Sequence, residues 1–325
     1  MTRQFQPKVG VLLATRGLVM RAYRENRPVN ADSFMEIAVK AEDIGLDSIW
    51  VGDSLVSKPR LEPVAAMSAL GARTSQIRIG SAVMLPTLRH PVTLAHSLAT
   101  ADVISGGRLY LGVGVGGAFT KEQSNDWASV GVDPATRASR LTETIQILKR
   151  LWTENDVSFD GRHFKLDNVS IQPKPNQENG IPLLLATHYR TGSEAQFLRA
   201  ARYADGIMGI TDSPEEYQEA CRRVMMLASE EGRDSSNIER FFYLTVNINN
   251  DKNLASKEAD DFLISYYGVR HWGERWGPWG TPNEIVRKMQ EYIEAGAQHL
   301  IVRFASWDQK EQFDRFAKEV LPHFK

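Results

Sequence analysis

The sequence predicts a single domain over residues 1–325, folded as a (β/α)8 TIM barrel with insertions after strands 1, 4 and 7. Eight short apolar runs alternate with segments of helical periodicity along nearly the whole chain. The runs are apolar at successive positions, as strands are when side chains fill a barrel on one face and helices cover the other. Several run directly into Gly, Pro, Thr or Arg, at the ends where such barrels place their chemistry.

The helices between these strands have start and stop signals. Asn30 is expected to cap a helix that Gly45 ends. Ser213 and Thr281 each open a capping box with proline at the first helical position, and Gly296 ends the second of these helices. The predicted strands are Val9–Ala14, Ser48–Val51, Ile77–Leu85, Leu109–Val115, Pro182–Ala186, Gly206–Ile210, Phe241–Val246 and Leu300–Phe304.

Three segments interrupt the alternation and are expected to lie over the active-site mouth. Arg16–Pro28 predicts a long arginine-rich loop after the first strand. Asp156–Pro175 has Asp160-Gly161 between two extended pieces, which predicts a hairpin before the fifth strand. Tyr266–Gly280 follows the seventh strand and holds three tryptophans within eight residues.

The composition limits function and location. The 39 basic and 40 acidic residues nearly cancel, which argues against nucleic acid as a partner. No apolar stretch reaches the ~20 residues that span a membrane, and the first apolar run is too short for a signal peptide. Cys221 is the only cysteine, so no internal disulfide is expected and a cytoplasmic location is predicted. The seven histidines lack metal-binding spacing, so no metal site is expected.

The glycines of the fourth strand resemble the dinucleotide fingerprint, since Gly112, Gly114 and Gly117 have its spacing. A Rossmann site needs a helix directly afterwards, whereas Ala118–Asp133 is polar and irregular. We therefore predict that Gly114 and Gly116 let the backbone approach a flat ring.

A phosphate site is predicted after the fifth strand. Arg190 and Thr191 precede a helix, so a phosphate there would meet backbone N–H groups, the helix dipole and a guanidinium. The alternative is a capped helix with a solvated arginine. Thr211, after the sixth strand, is a weaker candidate for the same ligand.

Several segments are similar to the bacterial luciferase-like flavin-dependent oxidoreductases. The most specific is DVISGGRLYLGVGVG, residues 102–116, and AEDIGLDSIWVGD and RIGSAVMLPTLRHPVTLA precede it in the family's order. Further matching segments are Arg140–Trp152, Ala200–Ile207 and Gly280–Val302. The resemblance implies a barrel that binds FMN or the deazaflavin coenzyme F420. The ring would lie over the mouth, with its phosphate near the loops after strands five and six. A homodimer formed through the first βα units is also implied.

The resemblance carries over unevenly to individual residues. Asp53 matches the family's Asp-His pair, but Ser54 stands where the histidine often is. Ala82-Val83 falls where the family often has a non-proline cis peptide against the flavin. Gly117 stands where some deazaflavin-dependent sugar dehydrogenases have a catalytic Glu. Thr187–Arg190 replaces the Gly-Gly phosphate loop of many members.

These observations give three functional hypotheses. The first is a monooxygenase that uses reduced FMN from a separate flavin reductase and O2 on a small organic substrate. The second is an F420-dependent reductase or dehydrogenase that transfers hydride, and the third is a non-catalytic flavin-binding barrel. The catalytic candidates are Asp53, Arg89 and His188. The cofactor candidates are Ala82, Val83, Thr87, Gly114, Gly116, Thr187, Arg190, Thr191 and Thr211, and the substrate candidates are His271 and Trp272.

Overall fold

The computed structural model describes residues 6–268 and 276–325. Eight parallel strands close into a barrel, with β5 and β6 forming a separate hairpin and β10 adding a short parallel pairing to β9. The strands are β1 (Lys8–Leu12), β2 (Ser48–Val51), β3 (Arg78–Met84), β4 (Leu109–Val113), β5 (Val157–Asp160), β6 (Lys165–Val169), β7 (Leu183–Ala186), β8 (Gly206–Ile210), β9 (Glu239–Ile248), β10 (Trp279–Gly280) and β11 (His299–Phe304).

The barrel order is β1-β2-β3-β4-β7-β8-β9-β11, and β11 pairs with β1 to close it. The predicted (β/α)8 fold is therefore confirmed, and all eight predicted runs contribute a barrel strand. The main difference lies in the seventh barrel strand, which runs from Glu239 to Ile248 and is longer at both ends than predicted.

Helices lie between successive strands. They are α1 (Thr15–Arg24), α2 (Asp32–Asp43), α3 (Pro63–Arg73), α4 (Pro91–Ile104), α5 (Lys121–Ser129), α6 (Arg137–Thr153), α7 (Glu194–Tyr203), α8 (Pro214–Glu230), α9 (Lys252–Tyr267), α10 (Pro282–Glu294) and α11 (Gln309–Arg315). Both predicted capping boxes form, at Ser213 and Thr281. Asn30 lies just before α2, where its side-chain oxygen accepts a hydrogen bond from the amide of Asp32 at 2.6 Å. Among the described residues, none of these helices is long and apolar enough to cross a membrane.

The prediction of a loop over Arg16–Pro28 is wrong for most of that segment, which forms α1. The arginines suggested a solvated loop, but Val19 and Ala22 are buried on one face of the helix. Gly17 lies beside the ring of Phe262 from α9, because a Cβ built there would be in van der Waals contact with the ring edge at 3.5 Å. Packing against another insertion, which the local sequence does not reveal, favours the helix.

The predicted hairpin forms as β5 and β6, but its expected position over the mouth is wrong. Glu143 of α6 accepts hydrogen bonds from the backbone amides of residues 162–164, at 2.9 to 3.1 Å. These bonds hold the turn against the outside of α6. No hairpin residue lines the cavity at the barrel mouth.

The core has two layers. Most buried apolar side chains lie between the strands and the surrounding helices. A smaller cluster fills the barrel interior, with Trp50, Met208 and Phe241 among its largest members. The interior is thus closed below by side chains, which leaves the carboxyl ends of the strands as the place for a ligand.

Candidate active site

A cavity of about 230 Å³ opens at the carboxyl ends of the barrel strands. Side chains from both the strands and the segments that follow them form its walls. They are Leu12, Gly52, Asp53, Ser54, Ser57, Lys58, Arg60, Ala82, Val83, Leu85, Gly116, Gly117, Gln123, Asp126, Trp127, Ala186, His188, Met208, Ile210, Tyr243, Tyr266, Tyr267 and Arg303. The cavity therefore has an apolar part and a strongly basic part.

The apolar part contains the backbone of β3. The peptide bond between Ala82 and Val83 is cis, as the family resemblance implies, and the register of β3 against β4 shifts there. Gly114 lies behind it, because a Cβ at Gly114 would come within 2.8 Å of Cγ2 of Val83. Glycine at this position thus allows Val83 to take its place in the wall. The surface offered to a ligand is smooth and apolar, as a planar ring requires.

Asp53 and Arg89 form a bidentate ion pair. The two terminal guanidinium nitrogens of Arg89 donate to the Asp53 carboxylate, at 2.7 and 3.1 Å, and the backbone amide of Leu85 donates to the same carboxylate. The Asp53 side chain is completely buried, and Arg89 also contacts Glu62 at 2.9 Å. Burial lowers the pKa of Arg89, but bonds and charges from Asp53 and Glu62 outweigh this effect and raise it. The pair fixes the loops after β2 and β3, and its catalytic role stays a prediction.

His188 lines the cavity at the end of β7. Burial lowers the pKa of its imidazole below 6.5, and a hydrogen bond with the carbonyl of Ile210 acts in the opposite direction. The ring is therefore neutral at pH 7 and can accept a proton. Two of the three catalytic candidates, Asp53 and His188, line the cavity, and Arg89 is paired with Asp53.

Ser54, at the position of the family histidine, belongs to a loop held by Asp126 of α5. One Asp126 oxygen accepts the amides of Val56 and Ser57 at 2.7 and 2.8 Å. The other accepts the hydroxyls of Ser54 and Ser57. No sequence pattern pointed to Asp126, because the residues that donate hydrogen bonds to it lie about 70 residues earlier in the chain.

Gln123 occupies the space beside Gly117. A Cβ at Gly117 would lie 2.8 Å from the amide nitrogen of Gln123. The Gln123 side-chain oxygen accepts the backbone amides of Phe119 at 2.8 Å and Thr120 at 3.3 Å. The backbone amide of Gln123 donates to the Thr120 hydroxyl, which completes the capping box. A carboxylate side chain at position 117 would have to displace this arrangement.

The predicted phosphate loop presents few free polar side chains. Arg190 donates to Glu216 at 2.9 Å, and the hydroxyl of Thr191 donates to the carbonyl of His188. Ser193 provides no side-chain cap for α7, and the amide of Gln196 donates to the Ser193 carbonyl at 3.2 Å, so the amides of Glu194 and Ala195 are the ones that an anion could reach. Thr187 is buried. The side chains of Thr187, Arg190 and Thr191 do not line the cavity, whereas their neighbour His188 does.

The remaining candidates are placed as follows. Thr87 lies in a short 3-10 turn after β3, with its hydroxyl buried and without a hydrogen-bond partner among the described residues. Gly116 lines the cavity with a positive φ of 80°. Thr211 has φ 65° and lines a different pocket, beside Asp212. His271 and Trp272 lie outside the described residues.

The basic part of the cavity was not predicted. Lys58 and Arg60 come from the segment after β2, and Arg303 from β11. Tyr243 of β9 and the tyrosines that end α9 surround Arg303. These residues come from distant parts of the sequence and form no motif, so no sequence pattern predicted that they share one cavity.

Comparison with known proteins relates this site to one enzyme family. An F420-dependent glucose-6-phosphate dehydrogenase from Amycolatopsis mediterranei is 27% identical over 320 residues, covering 89% of this chain and 93% of that protein. An F420-dependent secondary alcohol dehydrogenase, solved with an F420-acetone adduct, superposes with a TM-score of 0.78 at 20% identity, covering 98% and 99% of the two chains. A monooxygenase from Streptomyces bottropensis superposes with a TM-score of 0.79 at 21% identity, covering 98% and 100%. Residues 8–277 match the family described as luciferase-like monooxygenases, so the chain is an oxidoreductase that belongs to this family.

Proposed function

We propose that the protein is an F420-dependent oxidoreductase that transfers hydride between the deazaflavin and a small organic substrate. The observation that carries this proposal is the relationship, over nine-tenths of the chain, to dehydrogenases that use F420. This reverses the expectation from the sequence, which favoured FMN over F420.

The residues of the cavity fit a flat ring. Ala82 and Val83 form one wall of the cavity. Gly114 leaves room for Val83 because it has no side chain. Met208 and Ile210 continue the apolar lining. These side chains would hold the ring system, while the amides of Glu194 and Ala195 at the start of α7 suit the phosphate of the cofactor.

When bound, the deazaflavin supplies a carbon that accepts or donates hydride. The protein must then position the substrate and hold the proton that accompanies hydride transfer. Neutral His188 is the group suited to accept a proton from a substrate hydroxyl, or to return one to a carbonyl oxygen. The apolar wall excludes water from the reacting atoms.

The substrate differs from that of relatives that use a catalytic Glu and His. Gly117 and Ser54 stand at the two positions concerned, and Gln123 fills the space beside Gly117. We therefore propose oxidation or reduction of a substrate other than glucose 6-phosphate. The non-catalytic alternative has no support from the relatives.

A monooxygenase that uses reduced FMN, with a separate flavin reductase as partner, is the second candidate. The description of the matched family favours it. The fold does not separate the two candidates, because F420-dependent and oxygen-dependent enzymes superpose on this chain equally well.

Titration of the purified protein with F420 and with FMN, followed by fluorescence, tests the proposal. We expect tighter binding of F420. Gly114→Ala should weaken this binding roughly tenfold, because the new methyl group displaces Val83 from the wall. A thermal melt of the variant controls for misfolding. Preference for FMN, with O2 consumption by the reduced complex, would overturn the proposal in favour of the monooxygenase.

A further inference from the structure

We propose that the substrate carries an anionic group, a carboxylate or a phosphate, that binds between Lys58, Arg60 and Arg303. The inference rests on the proposed function, because it names the substrate class of the same site. All three cations line the cavity that also contains the Ala82–Val83 wall. A substrate held by its anionic end would thus lie beside the surface assigned to the cofactor ring.

None of these three cations forms an ion pair with a carboxylate among the described residues. The Lys58 ammonium lies 4.7 Å from the ring centre of Tyr267. Arg60 donates to the carbonyl of Lys58 at 3.2 Å. Arg303 donates to the Thr245 hydroxyl at 2.9 Å and to the Tyr267 hydroxyl at 2.5 Å, and it lies 4.4 Å from the ring centre of Trp276. Their charges are held by neutral oxygens and aromatic faces, which leaves them available to an anion.

A fourth cation lies directly behind this group. Arg16 of α1 is only 9% exposed and lies 5.2 Å from the ring centre of Tyr266. Its Nε and Nη1 atoms are buried and have no hydrogen-bond partner within the described part of the chain. A buried guanidinium without a counter-charge costs free energy, and a bound anion would lower that cost.

The nearest carboxylate does not neutralise the cluster. Asp126 already accepts four hydrogen bonds from the loop at residues 54–57. Burial lowers the pKa of Lys58 from 10.5 to about 8, and repulsion from Arg16 and Arg60 adds to the effect. The surroundings of Lys58 are thus net positive despite Asp126.

An anionic group could belong to the substrate or to the phosphate-bearing tail of the cofactor. We assign it to the substrate, because the amides of Glu194 and Ala195 at the start of α7 provide a separate place for the tail phosphate. The cluster also lies on other elements, namely the segment after β2, β11 and α1.

Calorimetric titration of the purified protein with sulfate and with acetate, without cofactor, tests the assignment. Saturable binding is expected. Lys58→Met and Arg60→Gln should each weaken it roughly tenfold to a hundredfold, as for loss of a hydrogen bond to a charged group. Both residues are partly exposed, so these variants should fold. Lys121→Met, at the exposed start of α5, is the matched control and should leave binding unchanged.

A pH series with sulfate adds a second readout. Binding to the unmodified protein should weaken as the pH rises through about 8, because Lys58 loses its charge, whereas Lys58→Arg should remove this step. The groups that face Lys58 are Arg16, Arg60, Glu122, Asp126, Arg303 and Tyr267.

Two results would overturn the inference. One is the absence of saturable sulfate and acetate binding, or binding that Lys58→Met and Arg60→Gln leave intact. The other is a loss of F420 affinity in these variants that matches their loss of sulfate binding, which would assign the cluster to the cofactor tail. A failure of the F420 titration alone would count against the proposed function and leave the anion site standing.

Discussion

The Asp53–Arg89 pair illustrates what one buried ion pair does for the site. Arg89→Met would leave a fully buried carboxylate without its counter-charge. We expect a loss of about 3–5 kcal/mol in the free energy of unfolding, measured by urea denaturation. Adding Asp53→Asn should restore part of the loss. Glu62→Gln, which changes only the more exposed partner, should cost under about 1 kcal/mol. Equal losses for Arg89→Met and Glu62→Gln would contradict this account.

Asp212 gives the stability a predictable dependence on pH. Burial raises its pKa from 3.8 to about 6, and Glu216 adds to the effect. Between these values the folded protein binds more protons than the unfolded chain. The contribution of Asp212 to stability is therefore fully present below pH 3.8 and is lost as the pH rises through about 6.

Asp212→Asn should remove this dependence, because an amide oxygen can still accept the amide of Tyr189. Relative to the unmodified protein, the variant should gain about 2–3 kcal/mol between pH 3.8 and pH 7, measured by denaturation across that range. Asp314→Asn, at an exposed carboxylate, is the control. Parallel stability profiles for the Asp212→Asn variant and the unmodified protein would show the prediction to be wrong.

At the scale of elements, α10 depends on its capping box. The Thr281 hydroxyl accepts the amide of Glu284, whose carboxylate accepts the amide of Thr281 at 2.9 Å. Thr281→Ala should lower the free energy of unfolding by about 1 kcal/mol, as chemical denaturation would measure. Thr100→Ala is the matched control, because the Thr100 hydroxyl donates only to the carbonyl of His96 within α4 and caps no helix. Equal effects of the two changes would exclude a capping contribution.

The insertions show where local sequence fails to predict an element or its position. The turn residues Asp160-Gly161 predicted the hairpin of β5 and β6. Its position is set by Glu143 of α6, whose carboxylate accepts hydrogen bonds from the backbone of the turn. The arginines of α1 led to the prediction of a loop, whereas the segment forms a helix whose buried face packs on α9. In both cases a contact with a distant element decides the outcome, and residue patterns do not record such contacts.

At the scale of the whole molecule, we propose a homodimer, as the family resemblance implies. Light scattering at micromolar protein concentration should give twice the 36.5 kDa mass of one chain. The association of two equal subunits would also make the melting temperature rise with protein concentration. A single-chain mass at that concentration would refute the proposal.

The barrel and its eight strands follow from the hydrophobic pattern of the chain, and the family resemblance located the cis peptide bond at Ala82-Val83. Hydrophobic periodicity, capping residues and a family motif are local properties, so they can be read along the chain. Only the tertiary structure paired Asp53 with Arg89 and placed His188 in the cavity. It also brought together four cations from α1, the segment after β2, and β11. Barrel closure sets these positions, because it joins the ends of strands that are far apart in sequence and thereby decides which charges must share one buried space.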